Sequence, residues 1–165
     1  MILALKWFVP ITLTAMGLAW LSEQVALLLG FEPPPQDLVK LFTDPNVAWQ
    51  IKAKYAAIAV LLAPVLEEIF FRMGLFRLCL RCLRSEKSRS WNGGRSFPVV
   101  SALVSGAVFA AAHFHAATFL PLWFLGVAFA WLYWKSGTLF SSMLCHFLFN
   151  LVNLVLCLAI GAGVD

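Results

Sequence analysis

Between Val47 and Arg84 the chain is mostly apolar, yet it carries Leu66-Glu67-Glu68-Ile69-Phe70-Phe71-Arg72 in its middle. An ionised side chain at membrane depth costs about 2.5–3.5 kcal/mol at a helix centre on insertion scales. A chain keeps such groups there when they pair, line a wet cavity or do chemistry. On a helix Glu68 and Arg72 are i,i+4 neighbours and can pair. Glu67 lies about 100° round the same helix and has no such partner on it. Glu67 is therefore the residue that the rest of the chain has to explain.

The composition supports the membrane setting. Of 165 residues 62% are hydrophobic and only 12% charged, with a mean hydropathy of +0.87. Soluble domains are about half apolar and a quarter charged. At roughly 20 residues per span the length predicts an all-α polytopic bundle of about five transmembrane helices. It leaves residues 1–165 as one integral-membrane domain, with a core over residues 47–160. The expected spans are residues 7–29, a second helix from Val47 past Pro64 to about Arg84, then Phe97–His115, Thr118–Trp134 and Thr138–Ile160. The first apolar run is too long for a signal-peptide core, and no small-x-small cleavage site follows it. The prolines of Phe31-Glu32-Pro33-Pro34-Pro35 break the chain into a loop, followed by a short surface helix around Leu38–Phe42.

The net charge of +4 is concentrated between Arg77 and Arg95, which makes it a topology signal rather than a nucleic-acid footprint. The positive-inside rule puts residues 77–95 in the cytoplasm, and five spans put the N-terminus there too. Lys6 and Lys135 agree with this; Lys52 and Lys54 count against it. The four cysteines, Cys79, Cys82, Cys145 and Cys157, lie in apolar or basic helical stretches and do not form a disulfide framework. Most of the seven tryptophans fall near span ends, as interfacial anchors do.

Polar residues recur inside the later helices: His113 follows Phe109-Ala110-Ala111-Ala112, and His146 and Asn150 are i,i+4 on one face. Counted from the turn between the second and third helices, Glu67 and His113 lie about 25 and 22 Å along their arms at 1.5 Å per residue. His146 is nine residues past Gly137, roughly 14 Å into helix five, so with helices two and three projecting about 10 Å into the cytoplasm Glu67, His113, His146 and Asn150 can share a layer between helices two, three and five.

Three motifs follow in order: Glu-Glu-x-x-x-Arg (Glu67, Glu68, Arg72), Phe-x-x-x-His (Phe109, His113) and His-x-x-x-Asn (His146, Asn150). Together they resemble the CPBP family of intramembrane proteases, which includes the CAAX prenyl-protein endopeptidases and bacteriocin-processing relatives. The resemblance implies an endopeptidase acting on a membrane-anchored peptide or protein, in a bacterial inner (plasma) membrane. In that family's terms Glu67 is the general base that activates a water and His113 helps to hold it. His146 and Asn150 donate to the oxyanion, and Glu68 with Arg72 forms a structural ion pair. No cofactor is implied. A zinc-dependent alternative, with Glu67, His113 and His146 as a two-histidine, one-carboxylate site, stays open at this stage. So does a non-enzymatic immunity or scaffolding protein. The substrate's tail, prenylated or a sorting signal, is left open as well.

Overall fold

A computed structural model of the chain describes residues 2–83 and 98–162. The core of the basic segment, from Arg84 to Arg95, and Asp165 lie outside the described residues, and so does the expected start of the third helix at Phe97. Among the described residues the secondary structure is helical, with no strand: α1 (Ile2–Leu28), α2 (Asp37–Thr43), α3 (residues 49–83), α4 (Val99–Ala111), α5 (Phe119–Ser136) and α6 (Leu139–Ala162). A 3-10 turn over Ala116–Thr118 leads into α5. The molecule is an all-α membrane helix bundle. Three segments, Ile2–Leu28, Ala116–Ser136 and Leu139–Ala159, are long and apolar enough to cross a bilayer by length and composition.

Two of the five expected helices carry features that the sequence did not announce. The first is α3, which is continuous but not uniform. It runs as α-helix over Trp49–Ala57, π-helix over Ile58–Leu62, α-helix over Ala63–Glu68, π-helix over Ile69–Phe76 and α-helix over Arg77–Leu83. Pro64 stands two residues past the end of the first π stretch. Proline has no N–H to give the carbonyl four residues back, and its ring crowds that carbonyl, so the turn before it widens.

The second is α4, which spans 13 residues, about 20 Å against the roughly 30 Å of a bilayer core. It stops at Ala111, four residues before the expected His115. The His113 backbone N–H turns back to Ala110 O at 3.2 Å, and its ring Nδ1 takes Phe109 O at 2.8 Å instead. His113 thus closes the helix with its own side chain, and Phe114 follows in the left-handed region at φ 52°.

α5 is the hub. Its Leu125, Phe129 and Leu132 pack against Ala4, Ile11 and Ala15 of α1 and Cys145 of α6. Phe76 of α3, Ala102 of α4, and Ala130 and Tyr133 of α5 form a second cluster. α4 and α5 meet through glycines: a Cβ on Gly126 would lie 2.6 Å from the Gly106 Cα. Small residues at such crossings let backbones approach where lipid gives no hydrophobic drive. Trp123 secures the same contact by donating its indole N–H to Leu103 O at 2.9 Å. Large apolar side chains such as Leu13, Trp20, Leu66 and Phe70 remain exposed on the outside of the bundle, as a lipid-facing surface requires.

Candidate active site

Glu67 and Glu68 close the short α-helical stretch between the two π stretches of α3. π turns inside α-helices recur at functional sites, and here they set which way these two carboxylates point. In each π stretch a side chain from another helix donates to a backbone carbonyl. Asn150 Nδ2 of α6 donates to Ala59 O at 2.9 Å, and Ser105 Oγ of α4 donates to Phe71 O at 3.0 Å.

The Glu68–Arg72 pair forms as the i,i+4 spacing predicts, with Arg72 Nε 3.1 Å from Glu68 Oε2 and both side chains fully buried. The guanidinium lies among three rings, its central carbon 5.0 Å from the centroid of Phe109, 5.6 Å from Phe129 and 5.9 Å from Phe71. Those π faces meet part of a cation that has little else polar around it. Glu68 has a second partner that the spacing does not reveal. His146 Nδ1 sits 3.1 Å from Glu68 Oε1, so the carboxylate joins Arg72 on its own helix to His146 on α6.

His146 Nε2 faces the other glutamate, 3.6 Å from Glu67 Oε2. The imidazole therefore bridges two consecutive carboxylates, one on each nitrogen. Phe129 stacks on it at 4.7 Å and 24°, and the Phe109 ring meets it at 5.8 Å and 78°. Ring orientation is fixed on every side. Because the Glu68 carboxylate can only accept, Nδ1 donates to it. Nε2 meets Glu67 Oε2 at ion-pair rather than hydrogen-bond distance.

Glu67 is the accessible member of the cluster. Its side chain keeps 28% of its exposure, whereas His146 keeps 5% and Glu68 none. His113 stands beside this group rather than inside it. Its ring packs on Phe109 at 4.8 Å, and the same Phe109 ring also meets His146. With Nδ1 donating to Phe109 O, its Nε2 remains available to an outside group. No hydrogen bond or ion pair joins His113 to Glu67 or His146 among the described residues. The Asn150 amide is turned along α6 to Ala59, two turns of α3 from Glu67, and one of its two N–H groups makes that bond.

The layer expected for Glu67, His113 and His146 is thus a chain of contacts: Glu67 against His146, and Phe109 against both His146 and His113. His115 points away from it, donating Nε2–H to Pro34 O at 2.8 Å. Among the described residues no group of three or more His, Cys, Asp or Glu side chains is arranged to hold a metal ion. Reasoning from sequence missed Phe129, Ser105 and the second role of Glu68. The signal for Ser105 was present, since Ser105, Phe109 and His113 follow at i,i+4 on one stripe.

The family model described as "Type II CAAX prenyl endopeptidase Rce1-like" matches residues 49–152, from the first residue of α3 into α6. The match covers more than half of the chain and takes in all three motifs. No curated protein and no solved structure shows significant similarity to the chain.

Proposed function

The chain belongs to the Rce1-like family of type II CAAX prenyl endopeptidases and is a membrane protease, and on that premise we propose that Glu67 activates the water that cleaves a membrane-anchored peptide. The observation that carries the reading is the His146 bridge, 3.6 Å to Glu67 and 3.1 Å to Glu68. Glu67 is the exposed end of an otherwise buried charge cluster, so it is the end that water and substrate reach.

In this scheme a water held between Glu67 and His113 Nε2 gives its proton to Glu67 as its oxygen attacks the scissile carbonyl. The carbonyl oxygen becomes an oxyanion, and His146 Nε2–H donates to it. Glu68 keeps the imidazole in the donating form through Nδ1, and Arg72 balances Glu68. Donors fixed in advance toward such an oxygen are often the largest catalytic contribution. When the tetrahedral intermediate collapses, the C–N bond breaks and Glu67 returns its proton to the leaving amine. Asn150 holds α3 to α6 through Ala59 and offers its second amide N–H to the oxyanion.

The reading is of a metal-independent hydrolase, supported by the donor set. His113 Nδ1 is committed to a backbone carbonyl and both nitrogens of His146 face carboxylates. We assign the side that carries the basic segment to the cytoplasm of a bacterial inner membrane. The substrate class is a membrane-associated tail, prenylated or not.

The test is cleavage of membrane-anchored peptide tails, with and without a prenyl group, by protein reconstituted in liposomes. Glu67→Gln and His146→Ala should each lose at least about 10²-fold in kcat, and a chelator should leave the wild type unchanged. Cleavage that survives Glu67→Gln would overturn the scheme. Loss with chelator, restored by zinc, would replace it with a metal-dependent one.

A further inference from the structure

Ser105 is fully buried on α4. A hydroxyl in a helix usually returns to a carbonyl of its own preceding turn, but Ser105 crosses to α3 and donates to Phe71 O at 3.0 Å. That carbonyl lies inside the second π stretch, one turn beyond Glu67 and next to Arg72. On α4 the same stripe continues through Phe109 to His113, one and two turns further on. The Phe71 and Phe109 rings of the same two helices meet edge to face at 5.2 Å. One hydrogen bond therefore fixes how far along α3 the Glu67 turn sits relative to the His113 turn of α4.

A π turn needs such a hold. Its hydrogen bonds reach five residues back instead of four, and the α-helical alternative is always one shift away. Relaxing the stretch over Ile69–Phe76 into α-helix would rotate the residues before it relative to those after it. Glu67 and Glu68 would then turn against Arg72 and α4. A donor placed on Phe71 O from outside the helix favours the π arrangement over that alternative.

We infer that Ser105 is a positioning residue: by holding Phe71 O it sets the register of α3 on α4, so that Glu67 and His113 face the same water. This rests on the proposed role of Glu67. It concerns kcat rather than substrate binding, because Ser105 has no exposed surface for substrate to touch.

The experiment compares kcat and KM of reconstituted wild type, Ser105→Ala, Ser105→Cys, Ser105→Thr, Ser101→Ala and Glu67→Gln on one anchored peptide. Folded protein is selected by size exclusion, and melting is followed in detergent. Ser105→Ala and Ser105→Cys should lose roughly 10- to 100-fold in kcat with KM little changed, the scale of a displacement of about 1 Å. Cys keeps the shape and offers only a weak donor, so its loss would separate the hydrogen bond from a packing void. Ser105→Thr, which keeps the hydroxyl, should recover most of the rate. Ser101 is as buried one turn earlier but does not hold Phe71 O, and Ser101→Ala should match wild type. The inference fails if Ser105→Cys and Ser105→Ala turn over like wild type, or if Ser101→Ala falls with them, while Glu67→Gln is inactive. If Glu67→Gln still cleaves, the catalytic reading falls instead, whatever Ser105 does.

Discussion

Two helix contacts in this bundle solve the same packing problem with opposite materials. α4 meets α5 through Gly106 and Gly126, with backbones so close that a single added methyl would overlap. α3 meets α6 through two glutamates, an arginine and a histidine, linked by contacts of 3.1 to 3.6 Å. The first contact puts little polar side chain inside the bundle and gains dispersion. The second carries a large desolvation cost, which a membrane helix could avoid with leucine. Buried ion pairs often give no net stability over well-packed apolar residues. The comparison teaches where to look for chemistry: the contact that stability alone would not select is the one to which we assign the proposed function.

The largest expected effect breaks the charged contact on one side only. Arg72→Met leaves Glu68 buried beside His146 with no cation on its own helix, and breaking such a pair costs about 3–5 kcal/mol. Thermal melting in detergent should show it as a marked fall, with cleavage lost as well. The double variant Glu68→Leu with Arg72→Met sharpens the point. It removes both charges, so stability should largely return, yet His146 then has no carboxylate on Nδ1 and cleavage should stay low. Recovery of both stability and cleavage would show that Glu68 does nothing for His146.

The next effect belongs to the apolar contact. Gly126→Ala puts a Cβ 2.6 Å from the Gly106 Cα, backbone that cannot swing aside as a side chain can. Overpacking of this kind costs about 1–3 kcal/mol, and melting should fall accordingly. Because α4 carries Phe109 and His113, pushing it from α5 should also lower kcat, but in proportion to the displacement. A Gly126→Ala protein that melts like wild type would mean that the crossing is looser than the glycines imply.

These two contacts were not equally readable in the sequence. The Glu68–Arg72 pair follows from i,i+4 spacing alone, and the nearly equal reach of Glu67 and His113 along their helices follows from counting rise per residue. Both are properties of single helices plus a turn. The link from His146 to Glu68 spans 78 positions and depends on how α3 is rotated about its axis. That rotation is set by two π stretches, which no apolar periodicity announces. Pro64 marks the first of them. The second has no comparable signal, and only the Ser105 hydroxyl across the interface shows what holds it. The end of α4 was hidden for a similar reason: Ala110-Ala111-Ala112 favours helix, and it is the His113 ring that takes the Phe109 carbonyl and stops it.

The smallest effect tests whether Asn150 belongs to the frame or to the chemistry. Its amide donates to Ala59 O at 2.9 Å, a bond between half-buried groups that is worth about 0.6–1.5 kcal/mol. Asn150→Leu should lower stability by that amount and no more, since α3 and α6 remain joined through His146 and the two glutamates. A residue that only ties the helices would lower kcat by a few-fold at most. The second N–H of the amide, directed at the oxyanion, would add a loss of about 10²-fold. We expect the larger loss, measured as kcat on folded protein with melting recorded alongside. Asn150→Asp separates the two roles further, because a carboxylate repels both the Ala59 carbonyl and the developing oxyanion. It should melt below Asn150→Leu and cleave no faster. If Asn150→Leu instead keeps most of the rate at its slightly lowered stability, Asn150 belongs with Gly126 as part of the frame, and His146 carries the oxyanion alone.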